Sequence, residues 1–201
     1  TASATNRTKW RFPTVMLPPD GYLVVFASNK NRTDPAGKLH TNFTLNATGE
    51  YLGLIRPDGT SVAFEYAPFF PAQDPNVSYG VVARGPDGRV DLAYFTGPTP
   101  GAANPRPTDF TPLGKVGFSR PTGPFSGEFT LTLTGAGAGQ VIRFLQYSVL
   151  TTPDVIPPPE SGSPAFATGL KVDRSLEVRA AIFSADGAVR GAVATGHYTR
   201  I

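Results

Sequence analysis

Apolar and polar residues along this chain form short runs separated by turn residues. The most apolar run, D-G-Y-L-V-V-F-A-S at residues 20–28, follows a proline-rich turn at residues 17–21. Its length and its valine and aromatic content predict a strand that is buried on both faces. We take this run as the centre of the first half of the chain.

Two hairpins are predicted after this run. An Asp-Gly turn within residues 56–60 joins an apolar run at 49–55 to an alternating run at 61–66. This order is typical of an antiparallel hairpin, with Val62, Phe64 and Tyr66 on one face. A second hairpin is predicted from residues 78–84 and 90–95, with a glycine-containing turn at 85–88.

The second half of the chain is also predicted to be β. Residues 129–134, F-T-L-T-L-T, alternate regularly and predict a strand with one buried face and one threonine-lined face in water. Further strands are predicted at 141–150, 175–183 and 193–201. In the strand at 175–183 the residues expected to point inward are Leu176, Val178, Ala180 and Ile182.

Several motifs in the first half occur in the order found in a known family. They are W-x-F-P at 10–13, L-P-P-D-G-Y-L-V-V-F-A-S at 17–28, L-H-T-N-F at 39–43, G-E-Y-L at 49–52, P-D-G at 57–59, V-S-Y-G at 77–80 and P-T-P-G-A-A-N at 98–104. Together they resemble the lamin-tail domain of large secreted bacterial proteins. The resemblance implies an immunoglobulin-like β-sandwich over residues 1–105 and brings no catalytic residue with it.

The second half resembles another immunoglobulin-like module, the chitobiase/β-hexosaminidase C-terminal-like domain. The matching motifs are F-T-L-T-L-T, V-I-R-F at 141–144 and the segment G-L-K-V-D-R-S-L-E-V-R-A-A-I-F at 169–183. Residues 144–150 depart from that family, which has a Tyr-x-x-Asp-Gly-Ser-x-Pro-Thr turn there. The two resemblances predict an all-β chain of two immunoglobulin-like β-sandwich domains in tandem, at 1–105 and 116–201, with a proline-rich linker at 106–115. Such a pair is typical of secreted bacterial proteins with a CotH-kinase-like domain.

The lamin-tail pattern also has strands before its W-x-F-P motif. Because this motif lies at residues 10–13 here, we expect the first domain to lack its opening strands and to have an open sheet edge. The expected partner at that edge is an upstream segment of the same parent protein or a strand from another molecule.

Composition excludes several classes of function. The chain of 201 residues has no cysteine, which rules out a disulfide scaffold, a thiolate metal site and a cysteine nucleophile. The net charge of +3 is too small to indicate a nucleic-acid partner without a basic patch. We also expect no membrane span, since no apolar run is long enough.

The search for catalytic motifs predicts no enzyme, no cofactor and no metal site. The glycines at 135–139 are spaced as a hairpin turn and lack the helix that a phosphate site needs. His40 and His197 fall in separate predicted domains, each within a strand, where histidines are usually hydrogen-bonded structural residues. Asp20, Asp58, Asp87 and Asp186 each precede a glycine, as turn residues do.

A binding site is predicted in the loop between Tyr66 and Tyr79, with Tyr66, Phe69, Phe70 and Tyr79 as the candidate ligand-binding residues. Three prolines, Pro68, Pro71 and Pro75, restrict this loop, so it would lose less entropy on binding. The alternative is that the rings close the end of the core. Adjacent residues such as Phe69 and Phe70 cannot both point inward in extended backbone.

The leading functional hypothesis is a non-catalytic, extracellular structural or adhesion module pair within a larger secreted bacterial protein, which binds other proteins or a cell-surface protein. The alternative is a carbohydrate-binding accessory unit, with a polysaccharide as its ligand and exposed coplanar aromatic rings as its hallmark. A third hypothesis is an accessory part of a hydrolase whose active site lies elsewhere.

Overall fold

The computed structural model describes residues 1–84, 90–106, 113–148 and 156–201. The predicted turn at 85–88 and linker residues 107–112 lie outside the described residues. Within those ranges the chain is all-β, with fifteen strands and no helix. The first eight strands are β1 Val25–Phe26, β2 Leu39–His40, β3 Leu52–Ile55, β4 Val62–Tyr66, β5 Ser78–Arg84, β6 Val90–Phe95, β7 Gly117–Phe118 and β8 Gly123–Phe125. The others are β9 Phe129–Leu131, β10 Leu133–Thr134, β11 Gln140–Ser148, β12 Leu170–Val172, β13 Leu176–Ser184, β14 Val189–Arg190 and β15 Ala194–Arg200.

The chain divides into two compact units. The first unit contains Thr1–Pro75 and Thr99–Ala103, and the second contains Asn76–Pro98 and Asn104–Ile201. Residues 76–98 therefore lie with the second half of the chain, whereas the sequence motifs grouped them with the first. The reason is strand pairing: β6 pairs with β14, with Phe95 opposite Val189.

The second unit is built on a seven-stranded sheet. Six strands follow the order β5-β6-β14-β13-β15-β8, and β11 pairs with β13. Two smaller pairs, β7 with β10 and β9 with β12, complete the unit. The main core contains buried residues from the sheet and from both pairs: Val116, Phe125, Leu131, Leu133, Ile142, Val172, Leu176, Val178, Ala180, Ile182 and Tyr198.

The alternating run at 129–134 has the predicted alternation of buried and exposed side chains, but it is not the single strand predicted. Leu131 and Leu133 are buried, whereas Thr130, Thr132 and Thr134 are exposed. The run consists of two strands, because β9 pairs with β12 and β10 pairs with β7. A single alternating segment thus joins the two small strand pairs.

The strand predicted at 175–183 is confirmed as β13. All four residues expected to point inward are buried, and Ala181 and Phe183 on the opposite face are also fully buried. A second cluster of buried apolar residues, Val82, Ala93, Phe95 and Val189, comes from β5, β6 and the region of β14. Apolar packing therefore extends beyond the main core.

The first unit contains only two short pairs of strands within its described residues. β3 and β4 form the predicted antiparallel hairpin, and β1 pairs with β2 in parallel. The turn of the hairpin is held by the carboxylate of Asp58, whose Oδ1 accepts hydrogen bonds from the backbone N–H groups of Thr60 and Ser61, both at 2.8 Å. The predicted Val62, Phe64 and Tyr66 face is half-buried, and the residues between them are exposed.

The prediction that residues 20–28 form a strand buried on both faces is wrong. Only Val25–Phe26 is a strand, and Tyr22, Leu23, Val24 and Phe26 have exposed side chains. Within the described residues the run pairs with β2 over two residues and forms one isolated bridge, between Ser28 and Thr44, while the side chains of residues 22–24 and 26 stay exposed. An apolar run indicates a tendency to be buried, but burial also requires a layer that packs on it.

A candidate interaction surface on the first unit

Exposed apolar side chains are concentrated on the first unit. Of the eleven large hydrophobic residues that are exposed in the described part of the chain, ten belong to this unit. They are Phe12, Met16, Leu17, Tyr22, Leu23, Val24, Phe26, Leu45, Leu54 and Phe69. Exposed apolar surface is typical of interaction sites in folded proteins. The first unit is therefore the candidate location of a binding site.

The outer edge of β3 pairs with Thr1 through backbone hydrogen bonds. The amino group of Thr1 donates to the carbonyl of Gly53 at 2.7 Å, and the N–H of Gly53 donates to the carbonyl of Thr1 at 2.8 Å. Two reciprocal bonds between one pair of residues are the pattern of an antiparallel ladder. The side of β3 that faces away from β4 is therefore able to hold another strand.

A groove of about 340 Å³ lies beside this edge. Its apolar lining comes from Trp10, Phe12, Leu54 and Ile55. Its charged lining consists of three arginines, Arg7, Arg11 and Arg56, and no carboxylate. The groove is thus apolar in part and positively charged.

Trp10 contributes two features to the groove. Its ring packs edge-on against Phe12, with centroids 5.0 Å apart. Its indole N–H is buried and has no acceptor among the described residues. A buried donor without an acceptor is costly, and a ligand that supplies an acceptor removes that cost.

A second, more apolar cavity of about 250 Å³ adjoins the groove and shares Trp10, Phe12 and Leu54 with it. Phe43, Phe64 and Tyr66 also line this cavity. The half-buried face of β4 therefore borders this cavity.

The four ring residues predicted from sequence do not share one environment. Phe70 is buried with 6% of its surface exposed, and its N–H donates to the carbonyl of Glu50 at 3.0 Å. Phe69 is 62% exposed, so the two neighbours point in opposite directions as the backbone rule requires. Tyr66 is half-buried and packs edge-on against Phe70, with centroids 6.5 Å apart. The structure brings Tyr66 and Phe70 together and leaves Phe69 facing outward.

Tyr79 belongs to the second unit, on β5. Its half-buried ring lies against Tyr94, with centroids 4.9 Å apart, and burial raises the pKa of its hydroxyl. The hypothesis that all four rings bind one ligand stays a prediction. The groove residues Trp10 and Phe12 were not proposed as a site from sequence, although their spacing places both on one side of an extended segment.

His40 has a structural environment in the first unit. Its Nδ1 is 2.7 Å from the hydroxyl of Ser28, and its ring stacks on Phe26 with centroids 5.0 Å apart. Burial lowers the pKa of His40, and the positive charges of Lys30, Arg32 and Lys38 lower it further. These contacts hold the ring in place, and the lowered pKa favours its neutral form.

His197 lies beside an ion pair in the second unit. The carboxylate of Glu177 is buried and contacts Nε of Arg179 at 2.6 Å and Nδ1 of His197 at 3.3 Å. In the described ranges, no hydroxyl group hydrogen-bonds to the His197 ring. The described residues also contain no group of three or more histidine, cysteine or acidic side chains placed to hold a metal ion.

Within the described residues no helix is long and apolar enough to cross a membrane. Comparison of the chain with models of protein families, with curated proteins and with solved structures gives no match in any of the three.

Proposed function

We propose that this chain is a non-catalytic interaction module pair of a larger secreted bacterial protein, and that its first unit binds a protein partner. The observation that carries the proposal is the concentration of exposed apolar side chains on one unit, two of which, Phe12 and Leu54, line a groove at a strand edge. A strand edge beside apolar pockets supplies main-chain hydrogen bonds for affinity and pockets for side-chain selection.

The family assignment and the location outside the cell belong to the same proposal. The lamin-tail and chitobiase-like motifs support an immunoglobulin-like sandwich in each half, and the all-β architecture is compatible with it. The absence of cysteine is compatible with bacterial extracellular domains, many of which lack disulfides.

Carbohydrate binding is the second candidate, and the exposed ring of Phe69 favours it. The aromatic pairs Trp10–Phe12 and Phe64–Tyr66 are packed edge-on, at interplanar angles of 68° and 89°, so neither forms a flat platform for a sugar ring. A polysaccharide would therefore have to bind through single exposed rings, such as Phe69, Tyr22 and Phe26.

The test is a selection of displayed peptides on the immobilised chain, followed by binding measurements with the Leu54→Ser variant. We expect enriched peptides to bind the variant about tenfold or more weakly, since losing one buried apolar contact costs about 1.4 kcal/mol or more. Ile201→Ser is the matched control, because Ile201 is an exposed apolar residue of the second unit and should leave binding unchanged.

Two results would contradict the proposal. One is the absence of any enriched peptide. The other is binding to a polysaccharide array that Phe69→Ala abolishes and Leu54→Ser leaves intact, which would establish the carbohydrate function instead.

A further inference from the structure

We infer that one face of the first unit, formed by Phe26, Lys30, Arg32 and Lys38, binds an acidic polysaccharide built from uronic acid residues. We call this surface the basic face. The inference goes beyond the proposed function, because it concerns a second surface of the same unit. Two features carry it: a row of cationic side chains on one side of paired strands, and an exposed aromatic ring among them.

Strand pairing places these residues side by side. His40 on β2 lies opposite Phe26 on β1, and on its other side it forms an antiparallel bridge with Arg32. Arg32 and His40 exchange two backbone hydrogen bonds, each 2.9 Å long. Residues directly opposite each other on paired strands direct their side chains to the same face. Lys38 precedes His40 by two residues and therefore lies on that face as well.

His40 forms the floor of the basic face and Phe26 its ring surface. The side chain of His40 is buried, whereas Phe26 is 41% exposed. The two rings are stacked at an interplanar angle of 24°. Nζ of Lys38 lies 5.9 Å from the centroid of the Phe26 ring. An exposed ring and a cation are thus immediate neighbours.

The charge of this face is positive. After burial, the charges that lower the pKa of His40 are those of Lys30, Arg32 and Lys38, so all three act on one point. Each of the three side chains is exposed, and none forms an ion pair with another described residue. Asp34 is the one acidic residue within 29–38, and its Oδ1 accepts a hydrogen bond from the N–H of Ala36 at 2.9 Å.

The backbone that carries the cations is held by hydrogen bonds. The N–H of Asn31 donates to the carbonyl of Thr41 at 2.9 Å, and the N–H of Asn29 donates to the carbonyl of Phe43 at 3.1 Å. Lys30 and Arg32 therefore project from a paired segment. Such a segment loses less conformational entropy on binding than an unpaired loop does.

The basic face is separate from the groove and the apolar cavity. Val25 and Ala27 line the cavity, and Phe26 lies between them on β1. Because side chains alternate along a strand, the ring of Phe26 is on the opposite face. No residue of the basic face lines either space. A ligand here uses neither the edge of β3 nor its pairing with Thr1.

The arrangement specifies a ligand whose units carry an apolar face and a negative charge together. A uronic acid residue has both, since the C–H face of its ring can lie on Phe26 while its carboxylate pairs with an ammonium or guanidinium group. In an extended peptide these groups belong to different side chains, which alternate between two faces. An acidic polysaccharide therefore fits the basic face better than an acidic peptide does.

The charge balance of the first unit disfavours a nucleic acid. The unit contains seven lysine and arginine residues and six aspartate and glutamate residues, so its positive charge is local to a few side chains. A nucleic acid carries one charge about every 3.4 Å of each strand and is bound through many phosphate contacts. A polymer with one carboxylate on each sugar ring matches a small basic face more closely.

The first test is a calorimetric titration of the chain with oligogalacturonate. The matched control probe is the same oligosaccharide with its carboxyl groups methyl-esterified, which keeps the sugar rings and removes the charge. We expect the esterified form to bind about tenfold or more weakly.

The two histidines locate the bound ligand. Carboxylates bound beside Lys30, Arg32 and Lys38 offset their positive charge, so the pKa of His40 should rise on binding. His197 lies in the second unit and is the internal control, whose titration should not change. Nuclear magnetic resonance of the two imidazole rings measures both.

Protein variants test the same contacts. Arg32→Glu and Lys38→Glu should each weaken binding of oligogalacturonate about tenfold or more. Arg174→Glu is the matched control, because Arg174 is exposed in the second unit and its reversal changes the net charge equally. Phe26→Ala should weaken binding about tenfold, whereas Phe26→Tyr keeps the ring and should retain it. Circular dichroism spectra that match the unchanged chain confirm that the variants fold.

The remaining outcomes overturn the inference. Equal binding of the esterified oligosaccharide would remove the role of the cations, and binding that leaves the pKa of His40 unchanged would place the ligand elsewhere. Tighter binding of oligoglutamate would assign the face to an acidic protein, and tighter binding of single-stranded DNA would assign it to a nucleic acid. If oligogalacturonate does not bind while displayed peptides bind in a Leu54-dependent way, this inference is wrong and the proposed function stands.

Discussion

The two units bury their apolar residues to different extents. Among the described residues, the second unit contains eighteen buried hydrophobic residues and the first contains three, Leu39, Phe43 and Phe70. The second unit has a seven-stranded sheet with additional strand pairs, whereas the first has two two-stranded pairs. Isolated two-stranded pairs are marginally stable, because they lack a covered face. The same lack of cover leaves the first unit with its exposed apolar surface, which is the surface we propose for binding.

The largest expected effect is in the core of the second unit. Phe183 is fully buried in β13, so Phe183→Ala should lower the free energy of unfolding by about 3–5 kcal/mol. Circular dichroism follows the whole chain, whereas Trp10 emission follows the first unit. We expect the substitution to shift the main circular-dichroism transition and to leave the Trp10 transition in place. Thr132→Ala, at an exposed position, is the control. If both transitions shift together, the units unfold as one and the contrast between them is lost.

The adjacent rings Phe70 and Phe69 give the next largest effect, within the first unit. Phe70→Ala removes a buried ring and should cost about 3 kcal/mol, read from the Trp10 transition in denaturant. Phe69→Ala removes an exposed ring and should change stability by about 0.5 kcal/mol or less. If both substitutions lowered the free energy of unfolding equally, the loop would not keep the Phe70 ring buried.

Gly49 allows the loop of Phe70 to approach the β3 side of the unit. Its φ of +102° is in the region that favours glycine, and a Cβ there would lie 2.2 Å from the carbonyl oxygen of Phe70. Gly49→Ala should therefore destabilise the first unit by about 1–3 kcal/mol. The matched control is Gly127→Ala in the second unit, where a Cβ would meet no atom within 4 Å. The measurement is thermal unfolding followed by Trp10 emission. We expect Gly49→Ala to lower the midpoint and Gly127→Ala to leave it unchanged. An unchanged midpoint for Gly49→Ala would contradict the prediction.

The smallest effect concerns the turn of the β3–β4 hairpin. Hydrogen bonds from Ser61 and Thr60 lower the pKa of Asp58 from 3.8 to about 2. Because the folded-state pKa is lowered, the stabilisation by Asp58 is present above pH 3.8 and is lost as the pH falls from there through about 2. Nuclear magnetic resonance of the carboxyl carbon should give a midpoint near 2. Asp58→Asn should remove the acid-induced loosening of the turn, and a midpoint near 4 in the unchanged chain would contradict the assignment.

Two predictions that rest on local sequence pattern are confirmed. The alternation at 129–134 and the hairpin of β3 and β4 are determined by local periodicity and turn residues, and the structure contains both. The run at 20–28 shows the limit of this reasoning, since its exposure depends on which element packs on it. β14 is another example, because two residues, Val189 and Arg190, are too few to show a pattern but connect β6 to the large sheet.

The candidate site could be predicted only in part. The opposite orientations of Phe69 and Phe70 follow from backbone geometry, and the structure shows them. The groove depends on the reciprocal hydrogen bonds between Thr1 and Gly53, which join residues far apart in sequence. No local sequence pattern predicts such a pairing. The sequence alone therefore did not show that Arg7, Arg11 and Arg56 line one groove.

The position of β13 has a consequence for how the chain acquires its structure. β13 pairs with β11 over nine residues and with β15 over five, and Gln140 lies opposite Ser184. Pairing between distant segments slows folding, because a long loop must close before the contacts form. During synthesis β11 leaves the ribosome before its partner, and its amide groups stay in exchange with water until β13 follows. Once formed, β13 should hold the amide hydrogens that exchange last, since opening it requires the whole sheet to separate.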